Sequence, residues 1–265
     1  MKRMAANAGA FYPASCQQIE SMIARFTELM ELSIEDRSVL DAVPRAIIAP
    51  HAGYIYSGFT ANIAHRILAN AHPKRIVVIG PSHHVYFEGV SVNASEMYVT
   101  PCGDLPIDTE WVARHAERFS WIHVPQAHER EHSTETQMPF IRHYNPQASV
   151  VELIYGQIDY RMLIPAIRAA LADPDTAVVI STDLSHFYPL HKARRLDAIC
   201  LKGIAQNEIA LLENGCEACG LIGVKALIAT AVELGLHSHI LDYRTSADAS
   251  GDTQRVVGYV SAFLG

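Results

Sequence analysis

The chain has 265 residues and a formal net charge of −7, from 21 basic and 28 acidic side chains. That balance excludes a general nucleic-acid binder, and no apolar run reaches the roughly 18 residues that span a bilayer. Hydrophobic residues make up 49% of the chain, enough for a sizeable core, so disorder is excluded as well. The opening MKRMAANAGAFYP carries no long apolar stretch behind its basic residues, and no signal peptide is expected. Five cysteines, an odd number without scaffold density, fit a reducing cytoplasm.

The elements alternate along the chain. Residues 15–31 carry Ile19, Ile23, Phe26 and Met30 at helical spacing, with Ser15 as N-cap. RAIIAP (45–50) is a short apolar run ended by Pro50 and reads as a buried strand. A helix over 58–69 and a second buried strand, RIVVIG (75–80), follow. Short strands are expected near 90–94 and 97–99, a helix over 108–118, and another over 131–143 interrupted by Pro139. SVVELIYG (149–156) and TAVVIST (176–182) are further strong strands, separated by a helix over 159–171. Long helical patterns cover 192–213 and 220–234, and strands at 237–244 and 255–264 close the chain. With no repeat or linker, this predicts one α/β domain over residues 1–265. Its central sheet is largely parallel or mixed, covered by helices on both faces.

Ligands of such folds sit at the carboxyl ends of the strands. Three of the buried strands run into histidine there: RAIIAP into His51, RIVVIG into His83 and His84, and TAVVIST into Asp183 and His186. If the strands are parallel neighbours, these side chains gather at one edge. His51 and His83 are the expected metal ligands, with imidazole suiting Fe, Zn, Cu and Ni. Tyr54 is a candidate for the pocket lining, as is His84, for which capping or a carbonyl contact is the stronger reading. His65, His72, His115, His143, His191, His237 and His239 read as surface or helix-end residues.

Three further clusters stand out. EHSTETQ offers Glu131, His132 and Glu135 for substrate contact, acid–base work or orientation of a ligating histidine; the alternative is a helix N-terminus with acidic residues near the dipole. Asp183, three residues before His186, could orient that imidazole or cap a helix. TSADASGD (245–252) reads as a turn from which Asp248 or Asp252 could supply a carboxylate. CEAC (216–219) is a lone Cys-x-x-Cys between helical patterns and is assigned to packing.

AGAFYPAS, RAIIAPHAGYIYSG, IVVIGPSHH, EHSTETQMPF, ISTDLSH and YRTSADASGD followed by VVGY together resemble the Memo-like family. Its prokaryotic members are often called AmmeMemoRadiSam system protein B. The resemblance runs from about residue 6 to 262. It implies a fold similar to the class III extradiol ring-cleavage dioxygenases, the LigB-like proteins, which hold Fe(II) with two histidines and a carboxylate. By motif, His51 and His83 match the two ligands. His186 matches the acid–base histidine with Asp183 beside it, and Glu131–His132 a pocket motif. The third family ligand, a cysteine in the eukaryotic branch, aligns with Ala249, and the adjacent Asp248 is the expected replacement.

The resemblance therefore implies a cytoplasmic, metal-binding oxidoreductase with Fe(II) as cofactor, Zn or Cu being alternatives, and a small diol as substrate. The competing expectations are a non-catalytic partner of AMMECR1-like and radical SAM proteins, and a Zn-dependent hydrolase. A homo-oligomer is the default expectation.

Overall fold

A computed structural model describes residues 1–34 and 36–265. In chain order the strands are β1 (Lys2–Arg3), β2 (Ala46–Ala49), β3 (Arg75–Pro81), β4 (Val90–Val92), β5 (Met97–Tyr98), β6 (Leu105–Pro106), β7 (Ser149–Tyr155), β8 (Thr176–Ser181), β9 (His186–Tyr188), β10 (Ser238–Thr245) and β11 (Val256–Leu264). The helices are α1 (Cys16–Ser33), α2 (Tyr54–Leu68), α3 (Thr109–Ala116), α4 (Pro125–Glu129), α5 (His132–Glu135), α6 (Met138–Tyr144), α7 (Ile164–Ala172), α8 (Leu190–Ala205), α9 (Ile209–Glu213), α10 (Leu221–Leu234) and α11 (Ala247–Ser250).

The main sheet has the order β10-β11-β2-β8-β3-β7-β4, with β9 paired to β11 off this path. Its centre, β2-β8-β3-β7, is parallel, and both edges are antiparallel. The central strands are apolar on both faces because both faces are covered. Ile48, Val77, Ile79, Val151 and Val178 point into one core, shared with α7, α8 and α10. Ile47, Ile76, Val78, Val150 and Val179 point into the other, against α2 and α6. Helix α1 packs outside α2. A small second sheet, β1-β5-β6, ties the N-terminus down. No helix among the described residues is long and apolar enough to cross a membrane.

The structure departs from the sequence reading at breaks. The pattern at 192–213 splits into α8 and α9, because Asn207 adopts a positive φ between them. The stretch 131–143 becomes α5 and α6, with Pro139 in the first turn of α6, where its missing N–H is tolerated. Pro165 does the same for α7. The TSADASGD turn contains the single helical turn α11. Ser15 sits at the N-cap of α1, but its side chain makes no capping bond. The cysteines also correct the sequence reading: Cys16 pairs with Cys102 and Cys200 with Cys216 as disulfides, leaving Cys219 free.

Candidate metal centre

Parallel register brings the histidines together. Ala49 of β2 is paired with Ser181 of β8, and β3 lies on the other side of β8. His51, Asp183 and His83 each follow two residues after their strand ends, at one sheet edge. His132, the first residue of α5, reaches the same place because α5 lies on the end of β3. Gly80 permits this approach, since a Cβ there would fall 2.6 Å from Ser133 Oγ. One ring nitrogen from each of His51, His83 and His132 lies within 4.8 Å of the other two. The rings meet edge to face at His51–His83 (centroids 5.2 Å) and His51–His132 (5.4 Å), with His83–His132 at 4.5 Å.

The hydrogen bonds behind these rings fix their tautomers. The Ser181 hydroxyl donates to the Ser133 carbonyl (2.5 Å) and accepts from Gln137 Nε2 (2.9 Å). With its one proton committed, Ser181 Oγ can only accept from His51 Nδ1, 3.0 Å away. His51 Nε2 therefore carries the lone pair. His83 Nδ1 lies 2.7 Å from Glu131 Oε1, while the His83 backbone N–H donates to Glu131 Oε2 at 2.6 Å. A carboxylate accepts only, so His83 Nδ1 donates and Nε2 is left free, the arrangement typical behind metal-ligating histidines.

Electrostatics oppose protonation of His51 and His132. Burial, reinforced by the neighbouring His83 ring, holds His51 well below the usual histidine range. Burial and the His51 and His83 rings bring His132 down to about 3. Its buried Nδ1 has no hydrogen-bond partner and lies 3.5 Å from Glu131 Oε1. Burial opposes ionisation of Glu131, but the hydrogen bonds from the His83 ring, the His83 backbone and the Ser133 backbone prevail and hold it at about 2. Three imidazoles, His83 oriented by the Glu131 carboxylate and His51 by the Ser181 hydroxyl, fit a divalent transition metal.

The remaining sequence candidates divide. Asp183 is at the site. Its Oδ1 accepts the His51 backbone N–H (2.8 Å), its Oδ2 lies 4.0 Å from His51 Nε2, and burial raises it to about 6. His186 is half-buried at the start of β9, near enough to His51 and Asp183 to influence their ionisation. His84 is exposed at the rim, its ring 5.7 Å from His132.

Three candidates have other roles. Asp248, expected as the third ligand, instead turns back on its own loop, where its carboxylate accepts the Thr245 N–H (2.7 Å) and hydroxyl (3.0 Å). The third ring in the cluster is His132. Tyr54 is core, not pocket lining alone: its hydroxyl donates to the Thr136 carbonyl and its ring stacks on Phe140. Glu135 faces the N-terminal segment and accepts from Arg3, Ala6, Asn7 and Tyr12. His65, expected at the surface, is fully buried and bonded to Gln137 Oε1 (2.8 Å).

Two contributors escaped the sequence reading. Ser181 is hidden in an apolar strand. Cys219, assigned to packing, places its Sγ 3.2 Å from His51 Nε2. Burial and the Asp183 carboxylate push its thiol up to about 12. Cys219 and His83 line one cavity of about 470 Å³, with His84, Tyr155 and Gln157.

A profile described as Memo-like protein matches residues 3–263. The chain belongs to the Memo-like family. It is 30% identical to a MEMO1 family protein of Archaeoglobus fulgidus over 95% of both chains. It is 31% identical to one of Methanobrevibacter smithii over the whole of both. A MEMO1 family protein of Aquifex aeolicus is 29% identical over 97% of both.

Proposed function

We propose that this Memo-family protein is a non-heme Fe(II) oxidoreductase that oxidises a small diol-type substrate with O2. The observation that carries this reading is the cluster of His51, His83 and His132, with ring nitrogens within 4.8 Å of one another, at the ends of parallel strands. Those three side chains would hold the ion, with Zn or Cu as alternatives. When bound, the ion supplies Lewis acidity and the one-electron chemistry that O2-dependent oxidation requires.

The protein's own groups would do the rest. Glu131 and Ser181 hold His83 and His51 with their Nε2 atoms unprotonated. His83 and His84 reach the open cavity, where a substrate of a few ring atoms fits within about 470 Å³. Asp183 and His186, beside the cluster, are the groups placed to take and return the hydroxyl protons of a diol. The test is O2 uptake by anaerobically Fe(II)-loaded protein against a panel of catechol-type diols. Uptake with at least one diol, lost in His186→Ala while iron is retained, supports the reading. Loaded protein that consumes no O2 with any of them refutes it.

A second reading is favoured by one observation. Asp248 turns onto Thr245, so the carboxylate expected of an extradiol-type site does not join the cluster. This favours a non-catalytic metal- or ligand-binding partner of AMMECR1-like and radical SAM proteins. Retained metal, absent turnover and co-purification with such proteins would support it. Zinc retained by the same histidines, with ester or amide cleavage, would move the assignment to a hydrolase.

A further inference from the structure

We infer that Cys16, Cys102 and Glu20 form a second metal site, one for Zn(II), that becomes available when the Cys16–Cys102 disulfide is reduced. This site shares no residue with the histidine cluster, and it stands whether or not that cluster holds iron.

Three donors converge from two distant segments. Cys16 is the first residue of α1, and Glu20 lies one turn further along the same face. Cys102 comes from the loop between β5 and β6. A Glu20 carboxylate oxygen and the two sulfurs all lie within 4.8 Å of one another.

The backbone holds these residues together without the sulfur–sulfur bond. Helix α1 is anchored by Ile19 and Ile23, both fully buried, in a cluster with Tyr54 and Phe140. Cys102 packs on the edge of that same cluster. Its loop is closed by its own hydrogen bonds. The Gly103 N–H donates to the Thr100 carbonyl (3.1 Å), and the Thr100 hydroxyl donates to the Gly103 carbonyl (2.6 Å). The Cys102 N–H donates to Thr100 Oγ1 (3.2 Å). The two Cα atoms, 4.7 Å apart, therefore stay close after reduction. Two thiolates sharing a tetrahedral ion sit roughly 3.8 Å apart, given metal–sulfur bonds of about 2.3 Å. Side-chain rotation supplies that spread.

The surroundings suit the charge. The N-terminal end of α1 favours the Cys16 thiolate. Two thiolates and a carboxylate carry more negative charge than a divalent ion offsets, and a cation is at hand. The Arg142 guanidinium lies against Gly103, beside Cys102, and a Cβ on Gly103 would fall 3.0 Å from Arg142 Nε. That buried Nε has no hydrogen-bond partner. His143 Nδ1 meets Glu20 Oε2 at 2.6 Å, the imidazole–carboxylate contact that orients a ligand. The Glu20 side chain is 43% exposed, so ion and reductant reach the site from solvent. Two sulfurs and an oxygen, with a fourth position for water, suit zinc, and soft thiolates disfavour Mg and Ca.

A dithiol opens the bridge. Its two sulfurs join in a new disulfide, and its two electrons and two protons pass to Cys16 and Cys102. Zn(II) then displaces both thiol protons to solvent as the sulfur–zinc bonds form. The ion takes over from the covalent bridge in tying α1 to the loop after β5.

The experiment reduces the intact chain with dithiothreitol, removes the dithiol under argon, adds Zn(II) and counts bound zinc by elemental analysis after gel filtration. An air-oxidised sample treated alike is the reference. The reduced protein is expected to hold about one equivalent more than the oxidised protein. Cys16→Ser/Cys102→Ser should lose that extra equivalent and leave the metal bound by the oxidised protein unchanged. Glu20→Gln should bind the extra ion at least about 10-fold more weakly. In the reduced wild type, Zn(II) should slow alkylation of Cys16 and Cys102, read by peptide mapping, which keeps the test independent of how well the variants fold. No extra equivalent on reduction would overturn the inference. So would an extra equivalent that persists in folded Cys16→Ser/Cys102→Ser, or one that leaves Cys16 and Cys102 unprotected.

Discussion

Glu135 offers a quantitative test of how the site is built. Its carboxylate is fully buried and accepts from Arg3 Nη2 (2.8 Å), the Ala6 N–H (3.1 Å), the Asn7 N–H (2.6 Å), Asn7 Nδ2 (3.0 Å) and the Tyr12 hydroxyl (2.8 Å). Through them it clamps the N-terminal segment over α5, and Phe11 of that segment stacks on His132 at 4.5 Å. Glu135→Ala leaves the Arg3 guanidinium, only 5% exposed, without the anion it touches. Removing one partner of a buried ion pair costs about 3–5 kcal/mol. Arg3 keeps the Glu131 and Met4 carbonyls as acceptors, and a terminal segment can open to water, so about 3 kcal/mol is expected. Glu135→Gln keeps the shape and part of the accepting capacity and should cost about half as much, through loss of charge-assisted bonds. The assay is urea unfolding followed by circular dichroism, with cleavage of residues 1–14 by a nonspecific protease as a local readout. Glu135→Ala should unfold at lower urea and be clipped faster, while still binding metal at the histidines. A variant within about 1 kcal/mol of wild type would refute the clamp.

Acid sensitivity should trace to Glu152. Burial opposes its ionisation, but His128 (2.8 Å) leads the groups that hold it at about 2, with Arg3 and Thr134 assisting. Held at about 2 against an ordinary 4.5, it contributes about 3 kcal/mol. That contribution is fully present above about pH 4.5 and is lost as pH falls through about 2. Stability of Glu152→Gln should therefore be lower at neutral pH and flatter across that window; parallel curves for variant and wild type would contradict the assignment. Glu131→Gln removes the negative charge behind the His83 ring and one of the two oxygens that accept from His83, and should weaken metal binding about 10–100-fold by competition titration, whereas unchanged affinity would exclude an orienting role. Asp248→Ala should leave metal affinity within about twofold and cost about 1 kcal/mol, the worth of a lost loop cap, in thermal unfolding. A large loss of metal would restore Asp248 as a ligand.

Much of the site was legible because its logic is local. A Val/Ile run that stops at Ala49, Pro81 or Ser181 and is followed two residues later by a polar side chain reads directly from the sequence. Parallel register then fixes the neighbourhood. Contacts that depend on long-range packing were not legible. Cys219 meets His51 across 168 residues, through a connection that only the docking of Gly220 on β8 brings close. Ser181 occupies a strand position whose side chain turns toward Gln137 and His51, which strand pattern alone does not distinguish from core. Proximity to Ala249 in sequence points to Asp248, but the single turn of α11 directs its carboxylate to Thr245. Glu135 shares the EHSTETQ motif with Glu131, yet the two carboxylates serve opposite sides of α5, one toward His83 and one toward the N-terminal segment.

The central claim is a metal held by the strand-end histidines. Its most direct test is elemental analysis of anaerobically purified protein, comparing wild type with His51→Ala/His83→Ala, with circular dichroism to show that both are folded. About one equivalent of iron per chain in the wild type, absent from the folded double variant, is the predicted result. Wild-type protein that takes up no metal, or a double variant that retains it fully, would contradict the account.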